Sequence, residues 1–92
     1  MNYPKNKITA VNNLIDKYTN EYLDNYCKAD IEQIAAISME NGLSPIEVAN
    51  KVYDFTKSKY ADNNIVYTVS IKQIMPTNIL LVLRQEIIKL LK

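Results

Sequence analysis

The chain has 92 residues, which fits one domain with one modest core, and 48% of them are apolar. Eleven basic and ten acidic residues leave a net charge of +1, without the basic excess that is typical of dedicated nucleic-acid binders. There is no His and only one Cys, Cys27. We therefore expect a single domain over residues 1–92 in a reducing compartment, without a disulfide and without the commonest acid–base residue and zinc ligand.

The hydropathy pattern predicts no membrane segment. The longest apolar run, residues 79–83, has five residues, whereas spanning a bilayer takes about 20. The N-terminal MNYPKNK carries no secretory signal, so we expect a cytoplasmic protein. The abundance of Asn, Lys, Ile and Tyr indicates AT-rich coding DNA, as in low-GC bacteria, their plasmids and their phages.

A first helix is predicted over residues 6–26, with Asn6 as its cap. Its apolar stripe recurs at steps of three and four and consists of Ile8, Val11, Ile15, Tyr18 and Tyr22.

A second helix is predicted after a break at residues 27–29. Asp30 and Gln33 have the spacing of a capping box, and Gly42 can adopt the left-handed conformation that ends a helix. Leu43 is then placed to fold back on Ile37. The inward face of this helix is predicted to be Ile31, Ile34, Ala35, Ser38 and Met39.

The third helix has the strongest start signal. Ser44, Pro45 and Glu47 combine a cap, a proline at the first helical position and an acid three residues after the cap. The predicted inward face is Ile46, Ala49, Val52, Tyr53, Thr56 and Tyr60.

Residues 65–72 alternate β-branched or aromatic residues on one side, which favours a strand over a helix. No second strand is evident, so this strand would pair with a partner or with a second copy. A last helix is predicted from a cap at Thr77 or Asn78 to about Leu91. Because it is apolar over most of its surface, it is either central in the core or a contact between copies. The predicted fold is mainly α: a small bundle of about four helices with one short strand near residues 65–72.

The composition argues against catalysis. Without His there is no nucleophile–base set, and the single Gly cannot build a phosphate-binding loop. Only Lys28 stands beside Cys27 to lower its pKa, and the acidic pairs have the spacing of surface charges. We expect a non-enzymatic protein with no cofactor and no metal site.

Seven Tyr residues are unusual in a chain of this size, and tyrosine is enriched at protein interfaces. The predicted partner-binding residues are Tyr18, Tyr22, Tyr26 and Tyr67. The alternative is that these rings border the core with their hydroxyls in water. The predicted function is a small protein-binding regulator, inhibitor or adaptor that covers a partner's surface, of the anti-defence or immunity type carried by low-GC bacteria or their phages.

The segment from Ile31 to Lys57 also has the layout of a DNA-binding helix-turn-helix: a helix, a turn with Gly42, and a capped second helix. Its contact residues would be Asn50, Lys51 and Lys57. Against this alternative, the second helix also exposes Glu47 and Asp54, whose charges repel phosphate.

Overall fold

The computed structural model describes residues 3–61 and 74–92, and within these it contains four α-helices. They are α1 (Lys5–Tyr22), α2 (Asn25–Glu40), α3 (Pro45–Tyr60) and α4 (Thr77–Leu91). The predicted helical bundle is confirmed. The strand predicted over residues 65–72 lies outside the described residues.

Each helix packs against the next, and α4 packs back onto α1. Met75 N donates to Tyr60 O over 2.7 Å, so α4 begins beside the end of α3. At the other end of α4, Lys7 Nζ donates to Leu90 O over 2.7 Å. These contacts define an up-and-down four-helix arrangement in which every helix has two neighbours.

The core lies along the axis of the bundle and is formed by one face of each helix. Its largest fully buried apolar side chains come from all four helices and from Met75, two residues before α4: Val11, Ile15, Ile31, Val48, Val52, Met75, Leu80, Leu83 and Ile87. Burial of an aliphatic side chain contributes about 1.5–3 kcal/mol, so this shared face holds the helices together.

The turn between α1 and α2 differs from the prediction. The chain leaves the helix at Leu23 and Asp24, both extended, so α1 ends at Tyr22 and not at Tyr26. Asp30, the predicted cap of α2, lies inside that helix. The physical reason is tertiary: the Leu23 side chain is buried in the core, and an extended backbone there directs it inward.

The turn between α2 and α3 follows the prediction. Gly42 has φ 74°, and Leu43 N donates to Ser38 O, which ends α2 in a Schellman motif. Ser44 and Glu47 form the predicted capping box at the start of α3, with Pro45 at the first helical position. The Schellman motif at the end of α2 and the capping box at the start of α3 therefore define this turn.

The start of α4 differs in its cap, because Pro76 occupies that position and not Thr77 or Asn78. Like every helix of the bundle, α4 contacts two others, α3 and α1, and on its remaining side Leu81 and Val82 are about half exposed. A contact between copies through α4 stays a prediction. None of the helices in the described residues is long and apolar enough to cross a bilayer.

Candidate protein-binding surface

The predicted tyrosine patch is not one continuous surface. Tyr18 is only 8% exposed and belongs to the core. Tyr22 is half-buried at the end of α1, while Tyr26, 66% exposed, lies in the first turn of α2. Because the chain turns between Tyr22 and Tyr26, the two residues do not share a helix face. Tyr67 lies outside the described residues.

The Tyr18 hydroxyl is engaged inside the bundle. It donates a hydrogen bond to Glu86 Oε2, which joins α1 to α4. Burial, followed by this hydrogen bond and the charge of Glu86, raises the pKa of Tyr18 to about 12. Its polar end is therefore satisfied within the chain, and its ring contributes to packing.

A different surface brings together apolar and cationic side chains on α3 and α4. On α3, steps of four, three and four place one stripe along the flank beside α4. A hydrogen bond from Arg84 Nε to Asn50 Oδ1, 2.7 Å long, joins this stripe to α4. We call this surface the α3–α4 face, and its residues are Ile46, Asn50, Tyr53, Lys57, Leu81 and Arg84.

Two of the most exposed large apolar residues lie on the α3–α4 face. Ile46 is 47% exposed and Leu81 is 45% exposed. The prediction that Ile46 points inward is wrong, because Val48 and Ala49 supply the buried face at the start of α3. Val82, 46% exposed, extends the apolar area around α4. Because α4 begins beside the end of α3, Ile46 and Leu81 lie on opposite sides of the Arg84–Asn50 contact along the two helices, and each is a separate exposed apolar group.

The cationic groups of the α3–α4 face are held in place. Lys57 Nζ lies 5.6 Å from the centre of the Tyr53 ring, a cation–π distance. Arg84 is half-buried and bonded to Asn50. Side chains that are already ordered lose less entropy when a partner binds. This surface is therefore preorganised.

A groove lies on the opposite flank of α3. It has a volume of about 490 Å³ and is lined by Ile34, Ile37, Ser38, Asn41, Leu43, Glu47 and Lys51. A smaller groove of about 390 Å³ between α1 and α4 is lined by Leu14, Glu86, Lys89 and Leu90. Ile37 in the α2–α3 groove is 46% exposed, so this groove is an alternative candidate for a binding surface.

The three residues of the DNA-binding alternative do not point in one direction. Asn50 and Lys57 belong to the α3–α4 face, whereas Lys51 lines the α2–α3 groove. Exposed Glu47 and Asp54 lie two turns apart on α3, Glu47 at the edge of the α2–α3 groove and Asp54 on the outward side. A phosphate backbone against α3 would meet these two carboxylates.

One pair of carboxylates has unusual electrostatics. On the seam between α1 and α2, burial and the neighbouring Asp16 raise the pKa of Glu32 to about 7. Lys28 Nζ lies 3.9 Å from Asp16 Oδ1. Raised carboxyl pKa values also occur in active sites, but neither Asp16 nor Glu32 lines the α2–α3 groove or the α1–α4 groove.

The remaining reactive group is also enclosed. Cys27 is 1% exposed, and burial raises the pKa of its thiol. Over residues 3–61 and 74–92, no group of three or more Cys, Asp or Glu side chains is arranged to hold a metal ion.

The comparisons with known proteins add no relatives. No family model matches the sequence, and no curated protein or solved structure is significantly similar to it.

Sequence reasoning missed Ile46, Leu81 and Arg84 as site residues. The available signal was the adjacent Leu81 and Val82, because neighbouring residues on a helix are 100° apart and cannot both face a narrow core contact. The position of Arg84 beside Asn50 depends on how two helices pack, and neither helix reveals it alone.

Proposed function

We propose that this protein is a non-enzymatic regulator, an inhibitor or adaptor, that binds a partner protein through the α3–α4 face and covers the partner's surface. One observation carries the proposal: exposed Ile46 and Leu81 share a face with Arg84, which is held in position by Asn50. Protein interfaces place apolar groups and Arg at their centres. The mechanism is steric, since complementary contact is sufficient and no reaction is needed.

The test compares two single substitutions at sites of equal exposure. Leu81→Asp places a charge on the α3–α4 face, and Ile37→Asp places the same charge in the α2–α3 groove, with the wild-type residues 45% and 46% exposed. Tagged wild-type protein and both variants are used for affinity capture from the native host, followed by mass spectrometry. Thermal unfolding checks that both variants are folded.

We expect Leu81→Asp to lose a specific captured protein that Ile37→Asp retains. Loss in Ile37→Asp alone would move the binding site to the α2–α3 groove. Retention of every captured protein by both variants would contradict the proposal.

A DNA-binding regulator is the second candidate, and one observation favours it: Lys57, Arg84 and Asn50 lie on a common face. An electrophoretic mobility assay at several salt concentrations separates the two functions. A steep loss of binding with salt would favour DNA, and no shift at low salt would end that alternative.

A further inference from the structure

We propose that the partner presents an acidic and apolar protein segment to the α3–α4 face, with a carboxylate bound by Arg84 and two separate apolar side chains, one packed against Ile46 and one against Leu81. This inference rests on the proposed function and adds the chemistry of the partner.

The hydrogen bonding of Arg84 carries the first step. Its Nε donates to Asn50 Oδ1 over 2.7 Å, which orients the planar guanidinium. No ion pair is recorded for Arg84 among the residues that the structure describes. Its two terminal nitrogens are thus suited to a carboxylate, which guanidinium groups bind in a bidentate fashion.

The charges around the face carry the second step. Lys57 adds a second positive charge on the same stripe. The only acid of α4, Glu86, faces α1 and accepts the hydrogen bond of Tyr18. Asp54 lies beside Asn50 toward the outward side of α3. The face itself contains two cations and no carboxylate, and complementary potentials favour an acidic partner.

The exposed apolar area carries the third step and favours a protein over a nucleic acid. On the α3–α4 face, Ile46 is 47% exposed and Leu81 is 45% exposed. Protein–DNA interfaces are more polar and far more positively charged than protein–protein interfaces, so a sugar–phosphate backbone would leave these side chains without apolar contacts. A protein segment buries them.

The test uses two synthetic 16-residue helical peptides with the same Leu stripe. One carries Glu at all flanking positions and the other carries Lys. Each is titrated into the full-length ¹⁵N-labelled protein, and amide shifts are followed. We expect the Glu peptide to shift the amides of the α3–α4 face and to bind at least about 10-fold tighter than the Lys peptide.

Variants of the protein assign the effect to Arg84. Arg84→Gln should weaken the binding of the Glu peptide by about 10-fold, since it removes the charge-assisted hydrogen bonds to the peptide carboxylate. Asn50→Ala should weaken it less, because Asn50 acts by positioning Arg84. Lys51→Gln, on the other flank of α3, is the matched control and should leave the affinity unchanged.

Several results would overturn the inference: no shift on the α3–α4 face, equal binding of both peptides, or equal affinity of Arg84→Gln and wild type. A 20-base-pair duplex that shifts the same amides and binds more tightly than the Glu peptide would assign the face to nucleic acid. If capture is lost in Leu81→Asp but kept in Arg84→Gln, the proposed function stands and this inference fails. If Leu81→Asp and Arg84→Gln both retain the captured protein, the proposed function and this inference both fail.

Discussion

Tyr18 and Glu86 form a hydrogen bond of 2.5 Å between α1 and α4, so the polar end of Tyr18 is engaged within the bundle. The ring is 8% exposed, and its hydroxyl is held by a carboxylate of the same chain. Tyr18, which we expected at an interface because of its residue type, therefore packs within the bundle. The surface that we propose for partner binding lies on the other side of α4, where Leu81 is exposed.

The Tyr18–Glu86 bond predicts that Tyr18→Phe destabilises the fold. Removing the hydroxyl leaves Glu86 without this donor and should lower the free energy of unfolding by about 1–2 kcal/mol. Urea denaturation followed by circular dichroism measures the change. Tyr26→Phe is the control and should have no effect, because Tyr26 is 66% exposed. Equal stability of Tyr18→Phe and wild type would show that the bond contributes nothing.

The carboxyl pair on the α1–α2 seam predicts a pH dependence of stability. The pKa of Glu32 is about 7 in the folded chain and near 4.5 when unfolded, so between these values the folded state holds the extra proton. Stability should therefore fall as pH rises from about 4.5 to 7, by roughly 1 kcal/mol because solvent screens the partly exposed pair. Glu32→Gln should flatten this dependence. A wild-type profile that rises over the same range would contradict the assignment.

Two buried threonines predict opposite effects of the same substitution. Thr19 and Thr56 are both fully buried. Thr19 Oγ1 donates to Ile15 O over 2.9 Å, whereas Thr56 Oγ1 has no hydrogen-bond partner in the part of the chain that the structure describes. Thr56→Val should stabilise the protein by about 1 kcal/mol, because it removes an unsatisfied polar atom, and Thr19→Val should destabilise it. Thermal unfolding of both variants checks the contrast, which fails if the two shifts have the same sign.

The turn after α2 predicts a specific requirement at Gly42. Its φ of 74° costs a residue with a Cβ about 1–2 kcal/mol. Gly42→Ala should lower the free energy of unfolding by that amount, and Gly42→Asn should lower it less, since Asn tolerates the left-handed region. Chemical denaturation of the two variants gives the order. If Ala proves as stable as Gly, the left-handed turn is not a determinant of the fold.

The helices and the second turn could be predicted because their signals are local. Ser44, Pro45 and Glu47 lie within four residues of one another, and Gly42 is the only glycine in the chain. The end of α1 could not be predicted in the same way. Tyr18, Tyr22 and Tyr26 continue the helical period without a Gly or Pro to interrupt it, and the turn depends on where the Leu23 side chain is buried.

The candidate site could be predicted less well than the fold. Asn50 and Lys57 were identified from exposure on α3, but for a different function. Arg84 and Leu81 acquire their significance only from the packing of α4 beside α3, which the periodicity of either helix does not contain. The Tyr residues show the opposite error. Their number suggested an interface, but Tyr18 is part of the core.

The most direct test of binding through the α3–α4 face is photo-crosslinking in the native host. A benzophenone side chain is introduced at Leu81 in one variant and at Ile37 in another, two positions of nearly equal exposure on different flanks. We predict a discrete protein adduct after irradiation of the variant at position 81 and none at position 37. An adduct at position 37 alone, or no adduct at position 81, would contradict the account.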